Sequence, residues 1–332
     1  MPRQQKISNG VKKILPWLVL VILAILIGTT LLIKIDRFTK SISYSSKIIL
    51  PEKKTISVVL VGDIMLDRGV EYMIEKYGGG DFKFPFSKIA DYLNKADIVF
   101  GNLEGPISDK GIKVGSIYSF RAEPKAIEGL KFAGFNVLSI ANNHTLDYGK
   151  TALEDTLLRL KEAEIDPVGI DSPIIKEIKN TKIGFLAYTN LGSPYWGISW
   201  ADWDNLEEIE KEIKETKEKS DILIVSLHAG EEYQKEPTQF QIDFSKMAIE
   251  AGADVVVGHH PHVVQESKKY PSTSSGQAGW IFYSLGNFVF DQSFSKETMQ
   301  GKIVKVLIKN GKIENVIPID IKINSNFQPE IK

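Results

Sequence analysis

The chain has 332 residues, a formal net charge of -1, 43% apolar residues and no cysteine. Near-neutral charge argues against a nucleic-acid binder driven by counterion release, and the missing cysteine excludes disulfides, thiolate metal sites and cysteine nucleophiles. Any metal must then be held by imidazole, carboxylate or amide groups, a donor set that suits manganese, iron or zinc.

Ile14 to Ile33 runs for 20 residues without a charge, the length needed to cross a hydrocarbon core about 30 Å thick. A signal peptide has a shorter apolar region, about 7–15 residues, that ends at a small-residue cleavage site. Here Lys34, Asp36 and Arg37 follow instead, so a retained, single-pass anchor is expected. Arg3, Lys6, Lys12 and Lys13 precede the span, and Lys34, Arg37 and Lys40 follow it. With the α-amino group, that balance places the N-terminus inside and the main domain outside the cell. The expected organisation is a basic cytoplasmic tail (1–13), a transmembrane anchor (14–33), a serine- and lysine-bearing stalk (34–54), a folded domain (55–323) and a C-terminal tail (324–332).

Thr55 to Val61 is an apolar strand that stops at Gly62-Asp63-Ile64-Met65-Leu66-Asp67-Arg68. Helices are expected over Val70–Tyr77 and Phe86–Asn94, and a strand over Asp97–Phe100 ends at Asn102-Leu103-Glu104-Gly105. The pattern repeats with a helix over Lys125–Ala133 and a strand over Asn136–Ile140. Ala141-Asn142-Asn143-His144 follows, then a helix over Thr151–Ala163. Ile174–Ile178 and Lys182–Tyr188 read as a hairpin about Asn180-Thr181, and Leu206–Lys219 as a charged, solvated helix. The strand Asp221–Leu227 runs into His228-Ala229-Gly230-Glu231-Glu232-Tyr233. After a helix over Thr238–Ala251, the β-branched run Ala253–Val257 reaches Gly258-His259-His260-Pro261-His262. Tyr270 to Gly279 is a polar, low-complexity stretch read as a surface insertion. Trp280–Leu285 ends at Gly286-Asn287, and Asn310-Gly311 between Lys302–Lys309 and Lys312–Ile319 is a strong hairpin signal. Helices alternating with strands, plus hairpins, predict an α/β layered sandwich with mixed sheets.

Six of these strands end in polar motifs, and every histidine in the chain belongs to one of them. Loops at the carboxyl ends of strands form the functional crevice of open α/β sheets, so one shared site is expected. Two carboxylates, an amide oxygen and three imidazoles can hold one or two divalent cations, and a cation pair lowers the pKa of a water and stabilises displacement at phosphorus. A further histidine can protonate a leaving group, and Arg68 can pair with a phosphate or carboxylate. Two other chemistries lack their signatures. Gly149-Lys150-Thr151 follows His144 where a phosphate-binding loop needs glycine, and no G-x-S-x-G elbow occurs.

The motifs GDIMLDR (62–68), NLEG (102–105), ANNH (141–144), HAGEEY (228–233), GHHPHV (258–263) and SLGNFVFDQ (284–292) resemble, in order, those of the CapA family. That family is the poly-γ-glutamate and capsule-synthesis branch of the calcineurin-like metallophosphoesterases. The resemblance implies a membrane-anchored, extracellular, metallophosphatase-like domain. It implies Asp63, Glu104 and His262 at a first metal, with Glu104 bridging to a second held by Asn143, His228 and His260. His144 would act on the substrate, and His259 would support the site rather than ligate. The sequence departs at Met65, where the superfamily has histidine, and Asp67 is the candidate substitute.

Other readings compete residue by residue. Asp63 and Asn102 also suit turn or helix caps, Arg68 suits a pair with Asp67 or Glu71, and Asn287 and Asp291 suit bracing of the last turn. Glu231 and Glu232 read as solvated acids, and Tyr188, Tyr195 and Trp196 as core rather than cleft. Three functions fit: a capsule or poly-γ-glutamate biosynthesis protein handling an anionic polymer or phosphoryl intermediate, a metal-dependent phosphoesterase, or a non-catalytic partner of membrane synthase subunits.

Overall fold

The computed structural model describes residues 6–45, 55–171, 173–271 and 278–332, and the chain divides into two units, Met1–Lys53 and Lys54–Lys332. The first contains helix α1 (Lys6–Ser45). Its stretch Pro16–Lys40 is long and apolar enough to cross a bilayer, and none of it is buried within the protein. A signal sequence passes the same test of length and composition. Residues 34–45 of the expected stalk continue this helix, and 46–54 lie outside the described residues.

In the second unit β1 (Ile56–Ile64) leads through α2 (Arg68–Gly78) and α3 (Ala90–Leu93) to β2 (Ile98–Leu103). α4 (Ala126–Phe132) leads to β3 (Val137–Ser139), and α5 (Gly149–Glu162) to β4 (Asp166–Val168). The hairpin β5 (Ile174–Ile178) and β6 (Thr181–Thr189) turns on Lys179 and Asn180, both at positive φ. Then come α6 (Leu206–Glu218), β7 (Ile222–His228), α7 (Gln239–Ala251), β8 (Val255–His259), β9 (Ser267–Tyr270) and β10 (Gly279–Phe282). β11 (Asn287–Val289), β12 (Gln300–Lys309), β13 (Lys312–Ile323) and β14 (Pro329–Ile331) close the chain.

Two mixed sheets result. One runs β14-β13-β12-β1-β2-β3-β4 with β11 beside β1, and the other runs β5-β6-β7-β8-β10-β9. The parallel strands at the centre of each are the near-continuous apolar runs of the sequence, as burial on both faces requires. Between the sheets, Leu60 and Phe100 pack with Phe185, Ile224 and Val257, and Phe100 stacks on Phe185 at 5.8 Å. Outside the first sheet, Val70 and Ile74 of α2, Leu130 of α4 and Leu153 of α5 join its other face. Outside the second, Ile213 of α6 and Phe244 of α7 pack on Leu223 and Val225. The expected layered α/β architecture with mixed sheets is the observed one.

Three local expectations differ. Phe86–Asn94 is not one helix but a 3₁₀ turn at Phe84–Phe86 followed by the single turn α3; Pro85 opens the first, and the Asn94 side chain closes the second by donating to the carbonyls of Ala90 and Phe132. Residues 324–332 are not a free tail, because β14 pairs antiparallel with β13 from Ile321↔Ile331 to Ile323↔Pro329. Tyr270 and Gly279 are not loop residues but a cross-strand pair in β9 and β10, so the low-complexity stretch joins two antiparallel strands. Residues 272–277 of it lie outside the described residues.

One buried acid ties the loop after β2 to α5. Asp155 accepts hydrogen bonds from Ser108 (2.7 Å), Lys110 (2.7 Å) and Arg159 (2.9 Å). Burial raises its carboxyl, but the bonds from Lys110, Ser108 and Arg159 overcome this and bring it down to about 2. Asp155→Ala strands these donors, so we expect a loss of roughly 2–3 kcal/mol, read as a lower unfolding temperature.

Candidate metal centre and cleft

β1, β2, β7 and β8 run parallel in their sheets and deliver their carboxyl ends to one place. Asp63 is the penultimate residue of β1, Glu104 follows β2, His228 ends β7 and His259 ends β8. The approach is close, and two glycines permit it. A side chain at Gly62 would strike the Gly286 carbonyl, and one at Gly258 the Tyr283 carbonyl. After β8 the backbone enters the left-handed region at His260 (φ 96°) and again at His262 (φ 57°). Such backbone costs of order 1–3 kcal/mol per residue and concentrates at functional sites. Here it leaves the two imidazoles with ring centroids 5.8 Å apart.

Asp63 is fully buried and heavily bonded. Its Oδ1 accepts from Asn102 Nδ2 (2.9 Å) and His259 Nδ1 (3.1 Å). Its Oδ2 accepts from the His260 amide (3.2 Å) and lies 3.3 Å from His262 Nδ1. Asn102, an ambiguous cap in the sequence, is the hub: its Nδ2 also reaches Glu104 Oε1 (3.2 Å) and His228 Nδ1 (3.2 Å). His228 Nε2 lies 2.8 Å from Asn143 Oδ1, so the Nε2–H tautomer satisfies both ring nitrogens. His262 Nδ1 donates to Asn287 Oδ1 (2.9 Å). Asn287 thus braces His262, and its own amide is held by Gln292 and the Thr298 carbonyl.

Two trios of candidate ligands emerge, each with its donor atoms within 4.8 Å of one another. Asp63, Glu104 and His228 form one, all buried, and Glu232, His260 and His262 form the other. Glu232 was legible in the sequence only as a solvated acid. Two buried atoms of these candidate ligands' side chains, Glu104 Oε2 and His260 Nδ1, have no hydrogen-bond partner among the described residues. Unpaired buried acceptors cost about 1–3 kcal/mol each, and a divalent cation satisfies such oxygen and nitrogen donors. The residues present therefore fit a divalent cation.

The electrostatics agree. Burial raises the Asp63 carboxyl, but hydrogen bonds from His259 and His262 hold it well below the usual range. Burial and then the Asp63 charge push Glu104 well above it. Burial, then His260, hold His228 well below the ordinary imidazole value. Burial and the His262 charge take His260 down to about 3. His262 goes the other way. Against the effect of burial, the charge of Glu104 and the bond and charge of Asp63 lift it to about 9. Two imidazoles kept neutral are ready to ligate, and a third carries a proton that a cation would displace.

Beside this pocket lies a cleft of about 420 Å³ whose walls include Arg68, Asn143, His144, Glu232, His262 and Asp291. His144 Nδ1 is 2.8 Å from Asp147 Oδ2, and its ring stacks on Phe120 at 4.0 Å. The Asp147 carboxylate also accepts the Phe120 amide at 2.7 Å, so acid, ring and imidazole are locked together. Arg68 lies over the same Phe120 ring at 4.6 Å. It pairs not with Asp67 or Glu71 but with Asp291, through Nε (3.1 Å) and Nη2. Met65 is buried, and its sulfur accepts the Asp67 amide at 3.1 Å. Asp67 joins neither group of candidate ligands; its carboxylate caps α2 at the Arg68 amide (2.7 Å) and accepts the Arg121 amide (2.7 Å). Tyr188 is buried with its hydroxyl donating to Glu212, whereas Tyr195 and Trp196 are exposed rather than core.

Comparison with known proteins places this geometry in context. Residues 57–292 match the family model described as bacterial capsule synthesis protein PGA_cap. The capsule biosynthesis protein CapA of Bacillus anthracis is 32% identical over 297 residues, spanning 82% of this chain and 69% of that protein. The PGA biosynthesis protein CapA of Bacillus subtilis (strain 168) is 34% identical over 281 residues, 80% of this chain and 72% of that protein. Among solved structures, a phosphatase of Mycoplasma pneumoniae aligns with a TM-score of 0.49 and 17% identity, covering 81% of this chain and 94% of that one.

Proposed function

The chain belongs to the bacterial capsule synthesis family PGA_cap, and from that membership and the pocket we propose a membrane-anchored, metal-dependent phosphoesterase of capsule or poly-γ-glutamate synthesis. The observation that carries this reading is the convergence of Asp63, Glu104, Asn143, His228, His260 and His262 beside a cleft that also holds His144 and Arg68. Helix α1 is the anchor in this reading, residues 1–13 stay inside, and the domain from about Thr55 works outside the cell. Its substrate is a phosphoryl intermediate or an anionic polymer delivered by membrane synthase subunits.

Asp63, Glu104, Asn143, His228, His260 and His262 hold one or two divalent cations of the manganese, iron or zinc type. A bound cation polarises a phosphoryl oxygen and lowers the pKa of an attacking water. The chain's own groups do the rest. Asp291 grips one edge of the Arg68 guanidinium, leaving Nη1 to orient a phosphoryl oxygen in the cleft. Asp147 fixes the His144 ring, so that Nε2 faces away from it and can protonate the leaving oxygen.

Turnover of an aryl phosphate in manganese is the test. His144→Ala is expected to lower kcat by about 10²–10⁴-fold while the metal content stays that of the parent protein. No turnover by the metal-loaded parent, with retained affinity for polyanions, would instead establish a binding partner of a synthase.

A further inference from the structure

Met65 occupies the position where the first motif would otherwise supply a ligand; its sulfur accepts the Asp67 amide, and the Asp67 carboxylate is turned onto the Arg68 and Arg121 amides and joins neither group of candidate ligands. A different loop brings a carboxylate to the pocket. The segment after β7 is stitched onto the histidine turn at two points, the Ala229 amide donating to the His259 carbonyl (3.2 Å) and the Tyr233 amide to the Pro261 carbonyl (2.8 Å). Tyr233 sits at φ 65°, and its hydroxyl accepts from Gln292 Nε2 at 3.1 Å. Glu232 is therefore held in place, with its carboxylate within 4.8 Å of donor nitrogens of both His260 and His262. His260 Nδ1 is buried in the same pocket without a hydrogen-bond partner among the described residues.

We propose that Glu232, His260 and His262 form a second cation-binding group, with Glu232 supplying the ligand that Met65 does not. The inference rests on the reading that the pocket holds divalent cations, and it divides that pocket in two. Asp63, Glu104 and His228 are all buried, so a cation they held would be shielded from solvent, and it would displace the Asn102 amide that bonds all three. The Glu232 group has one exposed ligand and opens on the cleft, so its cation exchanges faster and sits where a substrate oxygen can reach it. Three protein ligands with open positions is the arrangement that catalytic metal sites share.

Equilibrium dialysis of the detergent-solubilised full chain against manganese, with elemental analysis, separates the possibilities. The parent protein is expected to hold two equivalents and Glu232→Gln one, with Glu231→Gln, one residue away, retaining two. Electron paramagnetic resonance provides a readout independent of activity. The parent should show a spectrum broadened by a second manganese ion nearby, and Glu232→Gln that of an isolated ion. Two equivalents in Glu232→Gln, or a single equivalent in both proteins, would overturn the role of Glu232 while leaving a metal-dependent site intact. No manganese in any of the three would remove the parent reading and this inference with it.

Discussion

Replacing Asp63 by asparagine is expected to abolish tight manganese binding and to destabilise even the metal-free protein by roughly 3 kcal/mol. The second effect is the more informative. Asp63 is the one carboxylate that His259, the His260 amide, His262 and Asn102 all address, and it is held ionised at full burial. Asparagine keeps the shape but removes the charge that, with that of Glu104, lets His262 carry a proton. The His262 imidazole must then deprotonate or remain a buried cation without its hydrogen-bonded carboxylate, and breaking a buried pair from one side costs about 3–5 kcal/mol. Chemical unfolding with and without a chelator separates the two losses. A variant that keeps the parent's metal-free stability would show that the carboxylate is not the pocket's electrostatic anchor.

The second large effect is a dependence of stability on pH that metal should erase. His262 is raised in the folded state to about 9 from about 6.5 in an unfolded chain. Its contribution is thus fully present below pH 6.5 and lost as pH rises through 9. Over that window the loss amounts to roughly 3 kcal/mol, and the raised carboxyl of Glu104 acts in the same direction from lower pH upward. His260, depressed to about 3, has the opposite sign. Its contribution is present above pH 6.5 and lost as pH falls toward 3. The metal-free protein should therefore be most stable near neutral pH and weaken on both sides. A cation displaces protons from His262 and Glu104, so its affinity should increase from pH 6.5 to 9 and the alkaline decline should vanish in manganese. Unfolding midpoints at several pH values, with chelator and with metal, measure this directly. Parallel curves in the two conditions would mean that the cation does not occupy these groups.

Much of this site was legible because the chain advertises it in one dimension. Asp63, His228 and the histidine turn each end a β-branched or aliphatic run, and parallel strands of this kind must be buried centrally with their carboxyl ends together. That is why residues as far apart as Asp63 and His260 meet. The groups that hold them had no such signature. Asn102 reads as a cap until three partners converge on its amide. Asp147 is an ordinary loop acid until the turn after β3 folds it onto His144. Asp291 is separated from Arg68 by more than half the chain, so local pairing with Asp67 or Glu71 looked equally natural. Glu232 sits beside an equivalent neighbour, Glu231, and only in the folded loop does one of the two carboxylates come within 4.8 Å of His260 and His262.

The fold shows the same division. Hairpins with turn residues suited to positive φ, such as Asn310-Gly311 (φ 57° and 71°), are written locally. The Thr238–Gln241 capping box that starts α7 is equally local. β4, β11 and β14 are only three residues long and owe their pairing to strands already in place, so no periodicity could reveal them.

Crystals of the protein equilibrated with manganese, measured at a wavelength where that metal scatters anomalously, test the central claim most directly. An anomalous peak is expected within bonding distance of Asp63, Glu104 and His228, with a second beside His260 and His262. Manganese found only elsewhere on the surface, with Asp63, Glu104 and His228 hydrogen-bonded to one another and excluding it, would contradict the assignment of this pocket as a metal centre.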